Sequence, residues 1–415
     1  MKRYVIVGNG AAAIGCLEGI RSIDKASAVT IVSKERHHTY CRPLISYYLE
    51  GKTDLARMMY RPADFYEEKS CTVIYGECAE RIDAEGKRVI LHNGAAMDYD
   101  ALCVTSGSSP FIPPMNGLDS VNKKFTFMTL DDALDIEKAI DKDSRILIIG
   151  AGLIGLKCAE GLSGRVGSII VTDIAGRVLS SILDDQSARL VRGRLESEGI
   201  SLLLGESVSL FEGDTAVMAS GKRIEFDILV IAPGVRPNAS LIRDIGGACG
   251  RGITVDKHMR TSLPDIYAAG DCTESTDISD KTVKVMALLP NAYMQGRCAG
   301  VNMAGGESVF DKATPMNSIG FFGLHIMTAG SSSCPADGGE VYEEITEASI
   351  KKLFIKKGRL VGFVLVGDVD RAGIYTDLIR SQTPLDSIDF DMLKKIPNLF
   401  AFNPNYREKK LGGVV

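Results

Sequence analysis

Short apolar runs punctuate the chain at residues 4–7, 29–32, 101–104, 145–149, 169–171 and 228–231. Each is followed by glycine or by a stretch with helical spacing. Strands alternating with helices in this way predict parallel βαβ units. Phe111-Ile112-Pro113-Pro114 interrupts the alternation, because two prolines end regular structure and redirect the chain. A second strand-then-glycine unit begins near Arg145, so one architecture recurs at a spacing of 142 residues, from Gly8 to Gly150. One repetition at so long a period is domain duplication rather than a solenoid. After about residue 312 the pattern changes. Strand-like runs at 352–355 and 360–366 flank the turn Lys357-Gly358-Arg359, and a helix is expected over 372–380. This part reads as a small α+β domain.

Length and composition narrow the class. With 415 residues, two or three domains are expected. A net charge of −5 argues against a nucleic-acid binder. No apolar run is long enough to cross a bilayer. The N-terminus superficially resembles a signal peptide, but Gly8, Asn9, Gly10 and Glu18 break its apolar stretch early, and a first strand is the better expectation. The ten cysteines are scattered with no Cys-x-x-Cys pair, which fits small buried hydrophobes in a reducing cytoplasm rather than a zinc or iron–sulfur site. His37-His38 is the one close histidine pair and reads as a solvated turn.

The chemistry lies in two glycine motifs. Gly8-Asn9-Gly10-Ala11-Ala12-Ala13 follows the first strand and opens a helix. Gly8 permits a tight turn, Gly10 lets the backbone approach a pyrophosphate, and Ala13 is an allowed variant at the helix–strand packing position. The next strand ends near Glu35, which is placed to accept hydrogen bonds from an adenosine ribose. Gly150-Ala151-Gly152-Leu153-Ile154-Gly155 repeats the motif, with Asp173 as its acidic partner. A carboxylate there favours a ribose diol and repels a 2′-phosphate. At about 1.5–3 kcal/mol for a charge-assisted hydrogen bond, NADH is expected over NADPH by at least roughly tenfold. Arg177 works against this preference if it accepts a 2′-phosphate; a solvent-exposed arginine at a helix start is the alternative.

Two fingerprints with a return segment resemble the two-dinucleotide-binding-domain flavoproteins, the pyridine nucleotide–disulfide oxidoreductases, over about residues 1–390. Tyr40-Cys41-Arg42-Pro43 resembles the family's stretch beside the flavin, and Thr105-Ser106-Gly107 its turn closing the first FAD segment. Ala232-Pro233-Gly234 resembles the second copy of that turn, and Thr261 to Asp271, ending Ala268-Ala269-Gly270-Asp271, is the most specific match. Pro290-Asn291-Ala292 resembles the start of the helix facing the flavin pyrimidine, where a helix dipole stabilises reduced flavin. The resemblance implies FAD held by Gly8, Gly10, Ala11, Ala12, Ala13, Glu35, Arg42, Pro43, Ala79, Thr105, Ser106, Gly107, Gly270, Asp271, Asn291 and Ala292. It implies NAD(H) held by Gly150, Gly152, Leu153, Ile154, Gly155, Asp173, Arg177 and Gly234. The fold class is then α/β, with two Rossmann-like dinucleotide-binding domains and a small α+β C-terminal domain. The expected division is 1–112 with 235–312 for FAD, 113–234 for NAD, and 313–415 for the C-terminal interface domain and tail. Within the family, the segment from Gly358 to Asp368 resembles NADH:rubredoxin oxidoreductases and the flavin portion of NADH-dependent nitrite reductases.

Three departures from the family pattern refine the function. The redox Cys-x-x-x-x-Cys pair is missing. The single redox cysteine of oxidase relatives falls at Pro43, with Cys41 two residues early. A lysine–glutamate pair near the flavin in many relatives is replaced by Tyr47 and Lys157. Lys157 is expected either to point into the flavin–nicotinamide site and favour anionic reduced flavin, or to turn to solvent. The expected activity is transfer of electrons from NADH through FAD to a rubredoxin- or ferredoxin-type carrier or an iron–sulfur subunit. The basic run Lys351 to Arg359 offers an electrostatic dock, or else a solvated hairpin guarding an edge strand. An NADH oxidase and a flavin-bearing redox-sensing scaffold are the alternatives, and a homodimer is left open. The tail from Asn398 to Val415 lies outside the resemblance, as a partner-binding extension or a disordered end.

Overall fold

The computed structural model describes residues 1–336 and 338–411. Two five-stranded parallel sheets form its first two-thirds. One has the spatial order Cys71–Tyr75, Ala28–Ser33, Arg3–Val7, Ala101–Val104, Ile266–Ala268. The other has the order Ile200–Leu204, Ser168–Asp173, Arg145–Ile149, Ile228–Ile231, Lys124–Phe125. The two correspond strand for strand. Each also carries a three-stranded antiparallel meander, over Ala79–Asp98 in one and Val208–Glu225 in the other. The fifth strand differs: the first sheet takes it from far downstream, the second from just upstream. The central strands read as continuous apolar runs because both faces are covered; Ile6, Leu102, Ile148 and Val230 are fully buried.

Segments 108–110 and 235–237 run side by side as an antiparallel ribbon where the chain crosses between the sheets. Phe111 to Pro114 carries no regular element, and the Arg236 guanidinium lies 3.9 Å from the Phe111 ring centre.

The C-terminal part is a five-stranded antiparallel sheet, in the order Met316–Phe321, Leu324–Gly330, Arg359–Val366, Ile350–Lys356, Gly339–Ile345. Helix Gly373–Ser381 packs on it through Tyr375, Leu378 and Ile379. Strand Ile350–Lys356 is interior, which corrects the expectation of an edge strand. Lys352 is only 5% exposed and is paired with Asp184 at 2.5 Å and Glu343 at 3.1 Å. Lys351 bonds Glu344 and the Lys395 carbonyl. The basic run is thus split, and Lys356, Lys357 and Arg359 are its outward members. The tail is folded through Leu411: Ala401 and Phe402 are buried, and the Phe402 and Tyr406 rings stack at 4.6 Å. Residues 412–415 lie outside the described residues.

Three helices position the site. We label them α1 (Ala11–Ile23), α2 (Leu153–Leu162) and α3 (Leu289–Met303). Helices α1 and α3 cross in backbone contact. A Cβ on Gly15 or Gly19 would lie 2.2 or 2.4 Å from the carbonyl oxygens of Tyr293 and Arg297. A Cβ on Gly296 or Gly300 would lie 1.9 or 2.0 Å from those of Ala12 and Cys16. Glycine at four-residue spacing on both helices lets the axes approach this closely, and it fixes the start of α3 against the start of α1.

Candidate functional site

Both fingerprints form the same turn. Gly8 (φ +108°) and Gly150 (φ +113°) follow the central strands, and a Cβ on either would strike a carbonyl oxygen, Thr105 at 2.3 Å and Ala232 at 2.2 Å. Gly10 and Gly152 open on empty space. The third positions differ in closeness of packing. Ala13 is accommodated and fully buried, whereas a Cβ on Gly155 would lie 2.0 Å from the Gly150 carbonyl oxygen.

No side chain caps α1, α2 or α3. Helices Leu130–Ala139 and Asp185–Ser197, by contrast, are capped by Thr129 and Asp184. The three helices at the expected cofactor positions therefore leave their first N–H groups available to an anionic or carbonyl ligand.

Of the remaining expected FAD residues, Gly270 and Ala292 meet Ala12 at the start of α1. A Cβ on Gly270 (φ +85°) would stand 3.0 Å from Ala12 Cβ and 3.5 Å from Ala292 Cβ, so three distant segments meet at one point. Gln295 locks them, accepting from Gly270 N at 2.7 Å and donating to Ser275 Oγ at 2.7 Å. Thr105 Oγ1 donates to the Val7 carbonyl, Ser106 Oγ donates to the Asn238 carbonyl, and Gly107 (φ +63°) faces open space. Asn291 and Ala292 are buried in the first turn of α3. Pro43 lies in the turn Arg42–Leu44, and Ala79 opens the first meander.

Glu35 is already engaged. Its Oε1 accepts from Arg42 Nη2 at 2.6 Å and its Oε2 from the Tyr40 hydroxyl at 2.6 Å. Tyr40 in turn accepts from Leu130 N, and Arg42 Nη1 donates to the Met128 carbonyl. Burial pushes the Tyr40 phenol up, so it stays a neutral donor. Glu35, Tyr40 and Arg42 thus strap the first unit to the 128–130 segment of the second. Of the histidine pair, His37 bonds Asp131 at 2.7 Å, while His38 packs against the Tyr66 ring. His37 keeps the partly solvated turn that was expected, and His38 departs from it by packing inward.

Burial raises the Asp271 carboxyl to about 6, opposed by nearby Arg42. An unfolded aspartate titrates near 3.9. The folded FAD-free protein therefore binds the extra proton between these values, and its stability falls as pH rises from about 4 to about 6. Thermal melts of FAD-free wild type and Asp271→Asn across pH 4.5–7 test this. Asp271→Asn is expected to melt higher at pH 7 and to lose that part of the pH slope; parallel curves would overturn the assignment.

At the second fingerprint, Asp173 accepts from Ala151 N at 2.7 Å and Ala175 N at 2.8 Å, which anchors the acid at the turn. The Arg177 guanidinium is spread over the Leu183 and Ser180 carbonyls and Asp185. Arg177 lies in a loop, not at a helix start. Ile154 and Gly234 (φ +150°) line an apolar crevice with Phe127, Met128 and Val235. Leu153 opens α2.

Lys157 is neither in solvent nor a lone cation. It is ion-paired with Glu160 one turn along α2, its Nζ lies 4.6 Å from the Tyr47 ring centre, and it contacts Phe321. Glu160, 5% exposed, also accepts from Phe322 N at 2.7 Å. The two departing positions, 47 and 157, therefore still meet, as a cation–π contact. The carboxylate that partners Lys157 is Glu160, which also holds the C-terminal hairpin. Nothing but its i,i+3 spacing from Lys157 marked Glu160 in the sequence. Cys41 is half-buried, and burial raises its thiol, contrary to the needs of a redox thiolate.

Among the described residues, four buried polar atoms without partners lie on segments bordering this region: His38 Nε2, Thr39 Oγ1, Ser108 Oγ and Thr314 Oγ1. Orphaned atoms beside uncapped helix starts and open glycines fit a bound dinucleotide. A surface depression of about 500 Å³ along Arg260–Tyr267 lies at the opposite end of strand Ile266–Ala268, away from the strand C-termini where such sheets bind ligands.

Two such turns on two parallel sheets, each opening an uncapped helix, define an enzyme that handles two dinucleotides. The chain belongs to the pyridine nucleotide-disulphide oxidoreductase family, whose model matches residues 2–296, and residues 315–383 match the rubredoxin NAD+ reductase C-terminal domain. It is a flavoprotein oxidoreductase that uses FAD and NAD(H). It is 30% identical to the NADH-dependent phenylglyoxylate dehydrogenase subunit epsilon of Aromatoleum evansii, over 92% of each chain. It is 32% identical to an NADH oxidase of Methanocaldococcus jannaschii, over 88% of this chain and 87% of that one. The fold is that of a putidaredoxin reductase solved in covalent complex with putidaredoxin, at TM-score 0.85, 23% identity and 95% coverage of both chains. Among the described residues, no helix is long and apolar enough to cross a membrane.

Proposed function

We propose that the protein takes a hydride from NADH and passes electrons through FAD to a small redox protein or an iron–sulfur partner subunit. The convergence of Ala12, Gly270 and Ala292 carries this reading, because it brings the two uncapped helix starts and the Asp271 loop to one point, where a single cofactor would meet all three. The C-terminal match to a rubredoxin reductase domain and the relative named as a dehydrogenase subunit support a protein acceptor. We assign residues 1–112 and 235–312 to FAD, 113–234 to NAD(H) and the rest to an interface domain. The site of action is the cytoplasm, in keeping with ten unpaired cysteines.

Bound FAD would accept electrons in pairs and release them singly, which suits a one-electron carrier. The chain binds and orients. Gly8, Gly10, Ala11, Ala12 and Ala13 would present the α1 start to the pyrophosphate, with Arg42 neutralising charge. Glu35 and Asp271 would accept from sugar hydroxyls, with Pro43, Ala79, Thr105, Ser106, Gly107 and Gly270 shaping the cleft. Asn291 and Ala292 would set the α3 start at the flavin. Gly150, Gly152, Leu153, Ile154, Gly155 and Gly234 would seat NADH, with Asp173 on its ribose. Arg177, tied to its own loop, is a poor 2′-phosphate acceptor. Lys157, neutralised by Glu160, would wall the site on Tyr47 rather than add net positive charge.

Stopped-flow reduction tests this: NADH should bleach the flavin at least tenfold more efficiently than NADPH, and rubredoxin or ferredoxin should reoxidise it faster than oxygen does. Faster reoxidation by oxygen would favour the second reading, an NADH oxidase, which the Methanocaldococcus relative supports.

A further inference from the structure

Beside the start of α3, on a downstream segment, lies a polar group that the cofactor contacts above do not use. Thr314 is 5% exposed, yet its Oγ1 has no hydrogen-bond partner. An unsatisfied buried hydroxyl is unfavourable, so a ligand that satisfies it recovers that loss. Its position is fixed from two sides. The Thr314 carbonyl accepts from Asn291 Nδ2 at 3.2 Å, which holds it at the first turn of α3. The neighbouring Ala313 carbonyl accepts from Ile278 N at 2.9 Å, and the next residue's carbonyl, on Pro315, accepts from Gly330 N at 2.9 Å. The α3 start is uncapped, although a threonine hydroxyl is a good cap and one lies this near. Ala292, next to Asn291, touches the Gly270 position. Thr314 therefore belongs to the same convergence point, beside the positive end of a 15-residue helix.

We propose that Thr314 is a further cofactor-binding residue, whose hydroxyl donates to a carbonyl oxygen on the flavin pyrimidine. This rests on the placement of FAD made above. A hydroxyl beside a helix N-terminus suits an acceptor that gains negative charge, and the pyrimidine edge gains it when the flavin is reduced. Thr314 then holds reduced FAD more tightly than oxidised FAD and raises the midpoint potential.

Thr314→Val removes the hydroxyl and keeps the shape; Thr314→Ser keeps the hydroxyl. Both are compared with wild type by FAD dissociation constant in each redox state and by spectroelectrochemical midpoint potential. For Thr314→Val, the constant should rise about threefold for oxidised FAD and about thirtyfold for reduced FAD, the charged acceptor forming the stronger bond. That tenfold difference lowers the two-electron potential by about 30 mV. Thr314→Ser should match wild type, and FAD-free Thr314→Val should melt no lower than wild type. An FAD-loaded Thr314→Val protein with unchanged potential, or equal weakening in both redox states, overturns the proposal and leaves the FAD site standing. Full FAD occupancy in a Gly10→Val protein would instead overturn the FAD placement.

Discussion

Gly296→Ala is expected to release FAD, raising its dissociation constant at least about a hundredfold, and to destabilise the protein by about 2–3 kcal/mol. On helix propensity alone the substitution is favourable by about 1 kcal/mol. Packing reverses the sign: the new methyl would lie 1.9 Å from the Ala12 carbonyl oxygen and 2.7 Å from its carbon, both backbone atoms. Overpacking of this kind typically costs 1–3 kcal/mol or more. Relief requires α1 and α3 to separate, and that moves both helix starts away from the cofactor they share. Gly193→Ala is the matched control. Gly193 also lies mid-helix, but nothing stands within 4 Å of its would-be Cβ, so that variant should gain up to about 1 kcal/mol and keep its FAD. Flavin retention on gel filtration and denaturant melts read out both. Equal behaviour of the two variants would sink the packing argument.

Gly150→Ala is expected to separate the two halves of the reaction. The residue holds φ +113°, and an added Cβ would lie 2.2 Å from the Ala232 carbonyl oxygen. The second turn must open, and it carries with it the Ala151 N–H that anchors Asp173. Flavin reduction by NADH should slow at least about a hundredfold, while bound FAD content and its reduction by dithionite stay near wild type. Loss of FAD together with NADH reactivity would mean that the second turn is not independent of the flavin site.

Much of this was legible in the residues. The six strand runs are all strands, because apolar residues buried on both faces leave an unmistakable trace. The two glycine turns were visible because positive φ and closed space admit little else. The paired Gly-x-x-x-Gly spacings at 15/19 and 296/300 were equally present, but their meaning depends on two glycine pairs 281 residues apart in sequence meeting face to face. The lysines of the interior strand at 350–356 suggest either a docking face or an edge strand in solvent; their partners, Asp184 on the second unit and Glu343 and Glu344 on the neighbouring strand, are long-range or cross-strand and leave no local trace. The Lys157–Glu160 pair was hidden differently. Spacing allowed it, but only the packing of Tyr47 and Phe321 around the amine makes it obligatory.

The source of each sheet's fifth strand also sets an order of assembly at the ribosome. The second sheet is complete once residue 231 has emerged, since its outer strand at 124–125 precedes the rest. The first sheet, although begun with the first strand synthesised, stays open along strand Ala101–Val104 until Ile266–Ala268 arrives. Units tend to fold as they are completed during synthesis. The second sheet is therefore finished first, and the first sheet closes afterwards, with an exposed strand edge in the interval.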